Sequence, residues 1–251
     1  MQNGKFQTMY IDAFAGSGSV VLKDSLKEIA GSATIALSCS KQFDSYTFIE
    51  KNPEFSAELR RRIRVEFPDY SAKIRLITDD CNDGLIRICK SIDWRKTRAV
   101  LFLDPYNAGL KWSTLEEVAA TKAIDVWYLF PLHAAIRMMK NNGDIQESWK
   151  KKLNEVFGDQ SWFDTFYTPS DQLNLFGREE YDKEYSLDKL KSYVITRLKA
   201  LFPSVSEDAQ LLFNRNNVPL FLYCFATAND SIVAQEIAQR GANHILKMHI
   251  S

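Results

Sequence analysis

Long apolar runs are missing from this chain. None approaches the about 18 residues that a bilayer-spanning helix needs, so neither a membrane span nor a secretory leader is expected. Cysteine is scarce: the four present, Cys39, Cys81, Cys89 and Cys224, lie far apart and form no C-x-x-C pair. With only three histidines beside them, zinc centres and disulfide frameworks are poor explanations of the chain. The thiols read as reduced and mostly buried, in a cytoplasmic protein. Net charge is absent too, since 32 basic residues balance 32 acidic ones. No global field draws in nucleic acid or an anionic membrane, and a polyanion would need a local patch. Internal repeats and low-complexity tracts are also lacking.

What is there is a chain of 251 residues, 45% hydrophobic and 25% charged, long enough to bury one large α/β core. Residues 1–251 read as a single domain. The first expected strand opens at Met9, which leaves open whether a further N-terminal element belongs to the fold. Strand-like runs at Met9–Phe14, Tyr46–Ile49, Ile74–Thr78, Ala99–Leu103 and Ile124–Phe130 alternate with helical patterns at Ser32–Lys41, Pro53–Phe67, Asn82–Ile92 and Thr114–Thr121. Strand–helix alternation with continuous apolar strands predicts a parallel sheet covered on both faces. Proline at position 53 suits a first helical turn, where the missing amide costs nothing.

The rhythm breaks after Leu132. Residues 141–202 read as a helical and aromatic insertion, with helices at Ile145–Phe157 and Leu187–Phe202. Two strands follow, Gln210–Asn214 and Leu220–Ala228, joined by turn chemistry at Arg215-Asn216-Asn217, which predicts an antiparallel hairpin. A last helix, Asp230–Leu246, is capped by Asp230 or Ser231.

Chemistry gathers at the expected carboxyl ends of the parallel strands. "MYIDAFAGSGSV" (9–20) runs from an apolar strand through Asp12 into a loop with Gly16 and Gly18, where backbone can approach a ligand closely. "YTFIEKN" ends a strand in Glu50, an acid placed to accept both ribose hydroxyls of a nucleoside, or a plain solvated carboxylate. It follows Gly18 by 32 residues, farther than the ~20 of a dinucleotide fingerprint. "ITDDCNDG" ends a strand in Asp79-Asp80. Asp80 first, then Asp79, could receive the amine of adenine with Cys81 lining its slot; helix capping competes for both. "AVLFLDPYNAGLKW" ends in Asp104-Pro105-Tyr106 next to the switch point of the sheet. The Asp104 carboxylate and Pro105 carbonyl could take hydrogens from an attacking amine while Tyr106 stacks on a planar substrate. A bare strand-to-helix turn with an aromatic lid is the alternative.

Five parallel strands closed by a hairpin give a seven-stranded, mostly parallel Rossmann-like sheet in the order of class I methyltransferases. "YIDAFAGSG", "GSATIAL", "FIEKN", "FLDPYNAGLKW", "DVWYLFP" and "VPLFLYCFATANDSIVAQEIA" resemble the three-Cys-motif partner proteins (TcmP) over nearly the whole chain, except 162–185. The resemblance implies S-adenosylmethionine as cofactor and methyl transfer as activity. It also implies a phage-type partner with three clustered cysteines, similar to radical-SAM enzymes. The cofactor-binding set is then Asp12, Phe14, Ala15, Gly16, Gly18, Glu50, Lys51, Asp79, Asp80 and Cys81, with Asp104, Pro105 and Tyr106 catalytic. Asp104-Pro105 also resembles the start of the [D/N]-P-P-[Y/F/W] motif of methyltransferases acting on adenine or cytosine amines. Tyr106 sits one position early for the stacking role. The expected acceptor is an amine, foremost a nucleobase in DNA or RNA. The alternative is a non-catalytic S-adenosylmethionine-binding subunit serving the three-cysteine partner. No Pro-Cys nucleophile follows the fourth strand, which argues against carbon-5 methylation of cytosine.

Within the same resemblance, Val20–Ala30 becomes an insertion between loop and helix, and Ser32 would flank the methionine carboxylate. "RRRIR" (60–64) and "KKK" (150–152) read as solvated helix faces before phosphate contacts. His133 and Arg137, just past the fifth strand, face the cleft or pack. Trp162, Phe163, Phe166 and Tyr167 form a substrate lid or a small satellite core. "QLNLF" (Gln172–Phe176) resembles the sliding-clamp-binding pentapeptide, unless its leucines pack inward.

Overall fold

The computed structural model describes residues 6–21, 28–173 and 179–248. In chain order the elements are β1 (Gln7–Asp12), β2 (Ser19–Val21), β3 (Glu28–Ala30), α1 (Ser32–Ser38), β4 (Ser45–Ile49) and α2 (Pro53–Glu66). Next come β5 (Ile74–Ile77), α3 (Cys81–Ser91), β6 (Thr97–Leu103), α4 (Trp112–Ala120), β7 (Ile124–Phe130) and α5 (Leu132–Met138). The second half holds α6 (Glu147–Phe157), α7 (Ser161–Phe166), β8 (Tyr167–Leu173), β9 (Glu179–Lys183) and α8 (Leu187–Leu201). It ends with β10 (Ser204–Val205), β11 (Gln210–Phe213), β12 (Pro219–Thr227) and α9 (Ile232–Lys247).

The central sheet runs β10-β12-β7-β6-β1-β4-β5, with β11 also on β12. Its five strands from β7 to β5 are parallel, and β12 lies antiparallel to β7. β10 and β11 share the outer edge of β12, one beside Ala226 and Thr227, the other beside 219–223. Eight strands therefore occupy seven positions, and the order is that of class I methyltransferases. The predicted hairpin is β11–β12. Its turn is held by the Asn214 side chain, which accepts from the Asn216 and Val218 amides at 2.9 Å, and by Asn217 at φ +57°.

The two faces of the sheet are covered unequally. On one side Ile11, Leu101, Leu103 and Val126 join α3, α4, α6 and α8 in a single large core. On the other, Tyr46 and Phe48 pack under Ala33 and Leu37 of α1 and Leu59 and Ile63 of α2. α9 closes the end with Ala242 and Leu246 on Phe225. β6 and β7 alternate buried with half-buried residues, so their second face is less fully covered than the continuous apolar runs imply.

Several expectations are corrected. The 141–202 insertion is not purely helical, since β8 and β9 pair antiparallel inside it. Trp162, Phe166 and Tyr167 are buried in the main core with α6 and α8, so they form neither an open lid nor a separate core. Val20–Ala30 carries a small hairpin, β2 with β3. Ser231 occupies the cap position of α9 without a side-chain bond, and Asp230 pairs with Lys122 at 2.7 Å. Cys39 is exposed and Cys89 half-buried; only Cys81 and Cys224 are buried. Arg61 and Arg62 pair with Glu58 and Glu66, and Lys150 and Lys152 with Glu147 and Glu155. Arg62 departs from the expected solvated helix face: its side chain is only 16% exposed and reaches across to Glu28 and Ser19 of the β2–β3 hairpin. Among the described residues, no helix is long and apolar enough to cross a membrane. Of the QLNLF stretch, 174–176 lie outside the described residues.

Candidate functional site

Register builds the site. Asp12 pairs with Phe48 on one side and Phe102 on the other. Two residues further along the three chains stand Phe14, Glu50 and Asp104, at one rim of the sheet. The strand order reverses between β1 and β6, and a crevice opens at such a switch point. A cleft of about 670 Å³ lies there, walled by Phe14, Gly16, Glu50, Cys81, Asp104 and Tyr106 among others.

The first loop is shaped for close approach. Gly16 has φ +60°, and a Cβ built on it meets nothing within 4 Å, so the space a side chain would fill is left to the cleft. The Gly16 amide donates to Glu50 Oε2 at 2.8 Å, and the Asn52 amide to Glu50 Oε1 at 2.7 Å. Each carboxylate oxygen keeps a second lone pair, so Glu50 braces the loop and can still accept hydroxyls. Lys51 Nζ lies 3.1 Å from Asp80 Oδ2, and both line the cleft. Asp80 also caps α3 by accepting from the Asn82 amide at 3.0 Å, so capping and lining coexist in one residue.

Four expected ligand-binding residues stand elsewhere. Asp12 is fully buried; its oxygens accept from the Phe14 amide at 3.1 Å and the Ser32 hydroxyl at 2.6 Å. Burial pushes its carboxyl up to about 6 against the pull of those bonds. Asp12 thus anchors α1 to β1, and Ser32 is engaged there instead of projecting toward a ligand. Ala15 is buried, with its amide on the Ile49 carbonyl at 3.0 Å. Gly18, at φ +85°, gives its carbonyl to the Gly31 amide and the Thr34 hydroxyl at 2.8 and 2.7 Å. Asp79 turns outward to Arg87, whose guanidinium holds that carboxyl below the ordinary range.

The Asp104-Pro105-Tyr106 turn divides. Asp104 has no hydrogen-bond or ion-pair partner among the described residues. Its tip reaches solvent, yet enough protein surrounds it that desolvation raises its carboxyl above the usual range. Pro105 is buried and does not line the cleft. Tyr106 is 98% exposed, so its ring stacks on nothing here while standing at the cleft mouth. Burial pushes the Cys81 thiol up to about 12, which makes it an apolar wall and no nucleophile.

Other parts of the site carry no signal in the sequence. Leu212 and Phe221, from β11 and β12, close one side of the cleft with Phe55 and Leu129. β12 runs antiparallel, so its first residues arrive at the rim where the parallel strands end. Asn82 is nearly buried and clamps the loop after β6. Its amide nitrogen donates to the Gly109 carbonyl at 3.0 Å, and its oxygen accepts from the Lys111 amide at 2.9 Å and the Thr114 hydroxyl at 2.8 Å. His133 lines neither this cleft nor the groove beside it, whereas Arg137 lines that groove.

No protein-family model matches the sequence and no curated protein is similar to it. The resemblance to the three-Cys-motif partners therefore stands on the quoted motifs alone. Among solved structures, the chain is similar to a spermidine synthase from Thermotoga maritima, at 9% identity and TM-score 0.45, over 93% of this chain and 57% of that one. It is also similar to a Listeria monocytogenes protein provisionally assigned as an S-adenosylmethionine-dependent methyltransferase, at 9% identity and TM-score 0.42, over 90% and 93% of the two chains. A third is the methyltransferase domain of bacterial CtHen1, at 9% identity and TM-score 0.38, over 88% and 89%.

Proposed function

We propose that the chain is an S-adenosylmethionine-dependent methyltransferase acting on an amine, foremost the exocyclic amine of a nucleobase. What supports this most is one juxtaposition. An unpartnered carboxylate, Asp104, shares a cleft with a left-handed glycine and a bracing acid, Gly16 and Glu50. The donor set fits the cofactor. Glu50 has lone pairs for the ribose hydroxyls, Phe14 and Cys81 offer apolar surface to the adenine, and Lys51-Asp80 adds polar groups at the edge. The wall carries the carboxylates of Glu50, Asp80 and Asp104 against the single cation Lys51, a balance that favours a cationic sulfonium.

Bound there, S-adenosylmethionine would supply an electrophilic methyl group. Asp104 accepts a hydrogen bond from the acceptor N–H and aims the nitrogen lone pair; orientation of this sort is worth orders of magnitude in rate. With S-adenosylhomocysteine as the leaving group, the methylated nitrogen would release its proton to water or to Asp104. Tyr106 swings from the mouth onto the acceptor ring.

Thermal melting with S-adenosylhomocysteine tests the cofactor, since stabilisation follows ligand concentration by mass action. Radiolabelled methyl transfer into RNA, DNA and protein fractions tests the chemistry. A ligand shift with no transfer to any fraction would favour the partner-subunit alternative; no shift at all would remove both.

A further inference from the structure

Beside the cleft runs a second depression of about 770 Å³, most of whose wall has no part in the proposed methyl transfer. The two share walls at Lys51, Asp80, Asn107 and Gly109, so a ligand lying in one continues into the other past the loop that bears Asp104. Its lining holds four cations, Lys51, Lys111, Arg137 and Lys152, against two acids, Asp80 and Asp83. Lys51 is paired with Asp80 and Lys152 with Glu155. Lys111 and Arg137 are exposed, and neither has an ion-pair partner among the described residues. Trp149, half-buried on α6, forms part of the same wall, with Lys140 Nζ 5.9 Å from its ring centre.

Unpaired cations beside an aromatic ring, in an open groove, are the chemistry of a single-stranded nucleic acid path: charges follow the phosphates and the ring takes a base. The overall neutrality of the chain makes this local excess more informative, because no global field accounts for it. We propose that this groove holds the strand flanking the acceptor base, with Lys111 and Arg137 on phosphates and Trp149 stacked on a neighbouring base. The inference rests on the methyl-transfer reading for its direction, since the acceptor base has to leave the stack and reach Asp104. The Asn82 clamp fixes where Lys111 stands, because the Lys111 amide is one of its hydrogen-bond partners.

Fluorescence anisotropy with the full chain and single-stranded oligonucleotides, one RNA and one DNA, tests this across a salt series. We expect the wild type to bind at least one strand. Lys111→Glu with Arg137→Glu should lower affinity tenfold or more. The milder pair Lys111→Gln with Arg137→Gln should reduce the slope of log K against log salt by about 1.4, at about 0.7 for each phosphate no longer neutralised. Trp149→Leu should weaken binding at every salt concentration with the slope unchanged. Strand binding equal in wild type and in variants that melt normally would overturn the proposal. So would binding of a free nucleoside monophosphate with no binding of either strand. S-adenosylhomocysteine shifts recorded on the same proteins separate the two readings. Loss of that shift with strand binding intact counts against the methyl donor alone, and the converse counts against the groove alone.

Discussion

The Glu50 carboxylate and the Gly16 amide, 34 residues apart in the chain, are joined by a hydrogen bond of 2.8 Å. One acid thereby sets the shape of the glycine loop and the polar floor of the cleft together. Glu50→Gln keeps one acceptor oxygen and turns an amide toward the Asn52 N–H, so one of the two braces is lost. Affinity for S-adenosylhomocysteine should fall about 10- to 100-fold, the loss expected when charge-assisted bonds worth about 1.5–3 kcal/mol are removed. Isothermal titration calorimetry reads it. Unchanged affinity would separate Glu50 from the cofactor.

Asp12 makes the fold sensitive to pH. Its carboxyl, at about 6 in the folded chain, lies above the about 3.9 of an exposed aspartate. A raised folded-state value means the native protein holds the proton more tightly than the unfolded chain. This contribution is present in full below about pH 4 and is lost as pH rises through about 6. Asp12→Asn mimics the protonated form, with Oδ1 accepting from Phe14 and Nδ2 facing the Ser32 hydroxyl. The variant should be more stable than wild type at pH 8, by about 3 kcal/mol at most, and the gap should close toward pH 4. Urea melts at both pH values check the sign. A variant less stable at pH 8 would show that the charged form is the better partner for Ser32.

Much of the fold was legible because local pattern and tertiary role coincide. β7 is an apolar run with no competing periodicity, and its observed bounds are the expected ones. α2 has its proline and its Asn52 cap, which accepts from the Glu54 amide at 2.8 Å. α5 was missed because Leu132–Met138 follows an apolar strand after a single proline, leaving no polar boundary to mark a new element. β8 was missed because "YTPSDQL" does not alternate and holds a proline, an aspartate and a single β-branched residue, Thr168, and β10 is too short for any period to show. At the site, strand ends announced Glu50, Asp80 and Asp104. Which acids face the cleft was not legible, because that depends on Arg87 and Ser32 reaching Asp79 and Asp12 from other elements.

Asn82 should carry stability out of proportion to its size. Asn82→Leu keeps the volume, yet leaves the Gly109 carbonyl, the Lys111 amide and the Thr114 hydroxyl without their partner. Each buried polar group left unsatisfied costs about 1–3 kcal/mol, and water will reach some of them. A net loss of about 3 kcal/mol is expected in urea unfolding. Hydrogen exchange supplies the local readout, as the Lys111 amide should lose protection well beyond the global change. Protection that tracks global stability alone would show that the loop is held by its own packing.

The sharpest functional prediction concerns Asp104. Asp104→Asn preserves size and still offers an oxygen, but it removes the charge that orients the acceptor N–H. Methyl transfer should fall about 100-fold or more, the scale of a misoriented reacting pair, while the S-adenosylhomocysteine shift remains. Because partial desolvation raises the Asp104 carboxyl, the wild-type rate should decline on acidification at a pH above the ordinary aspartate range. The protonated form loses the charge that orients the acceptor N–H, so the limb falls toward low pH and not toward high pH. The residual rate of the variant should lack that limb. The Asp12 carboxyl is raised as well, and Asp12→Asn distinguishes the two: it leaves the limb in place if Asp104 is responsible and abolishes it if the buried anchor is. A rate retained in Asp104→Asn, with the limb intact, would take this carboxylate out of the chemistry.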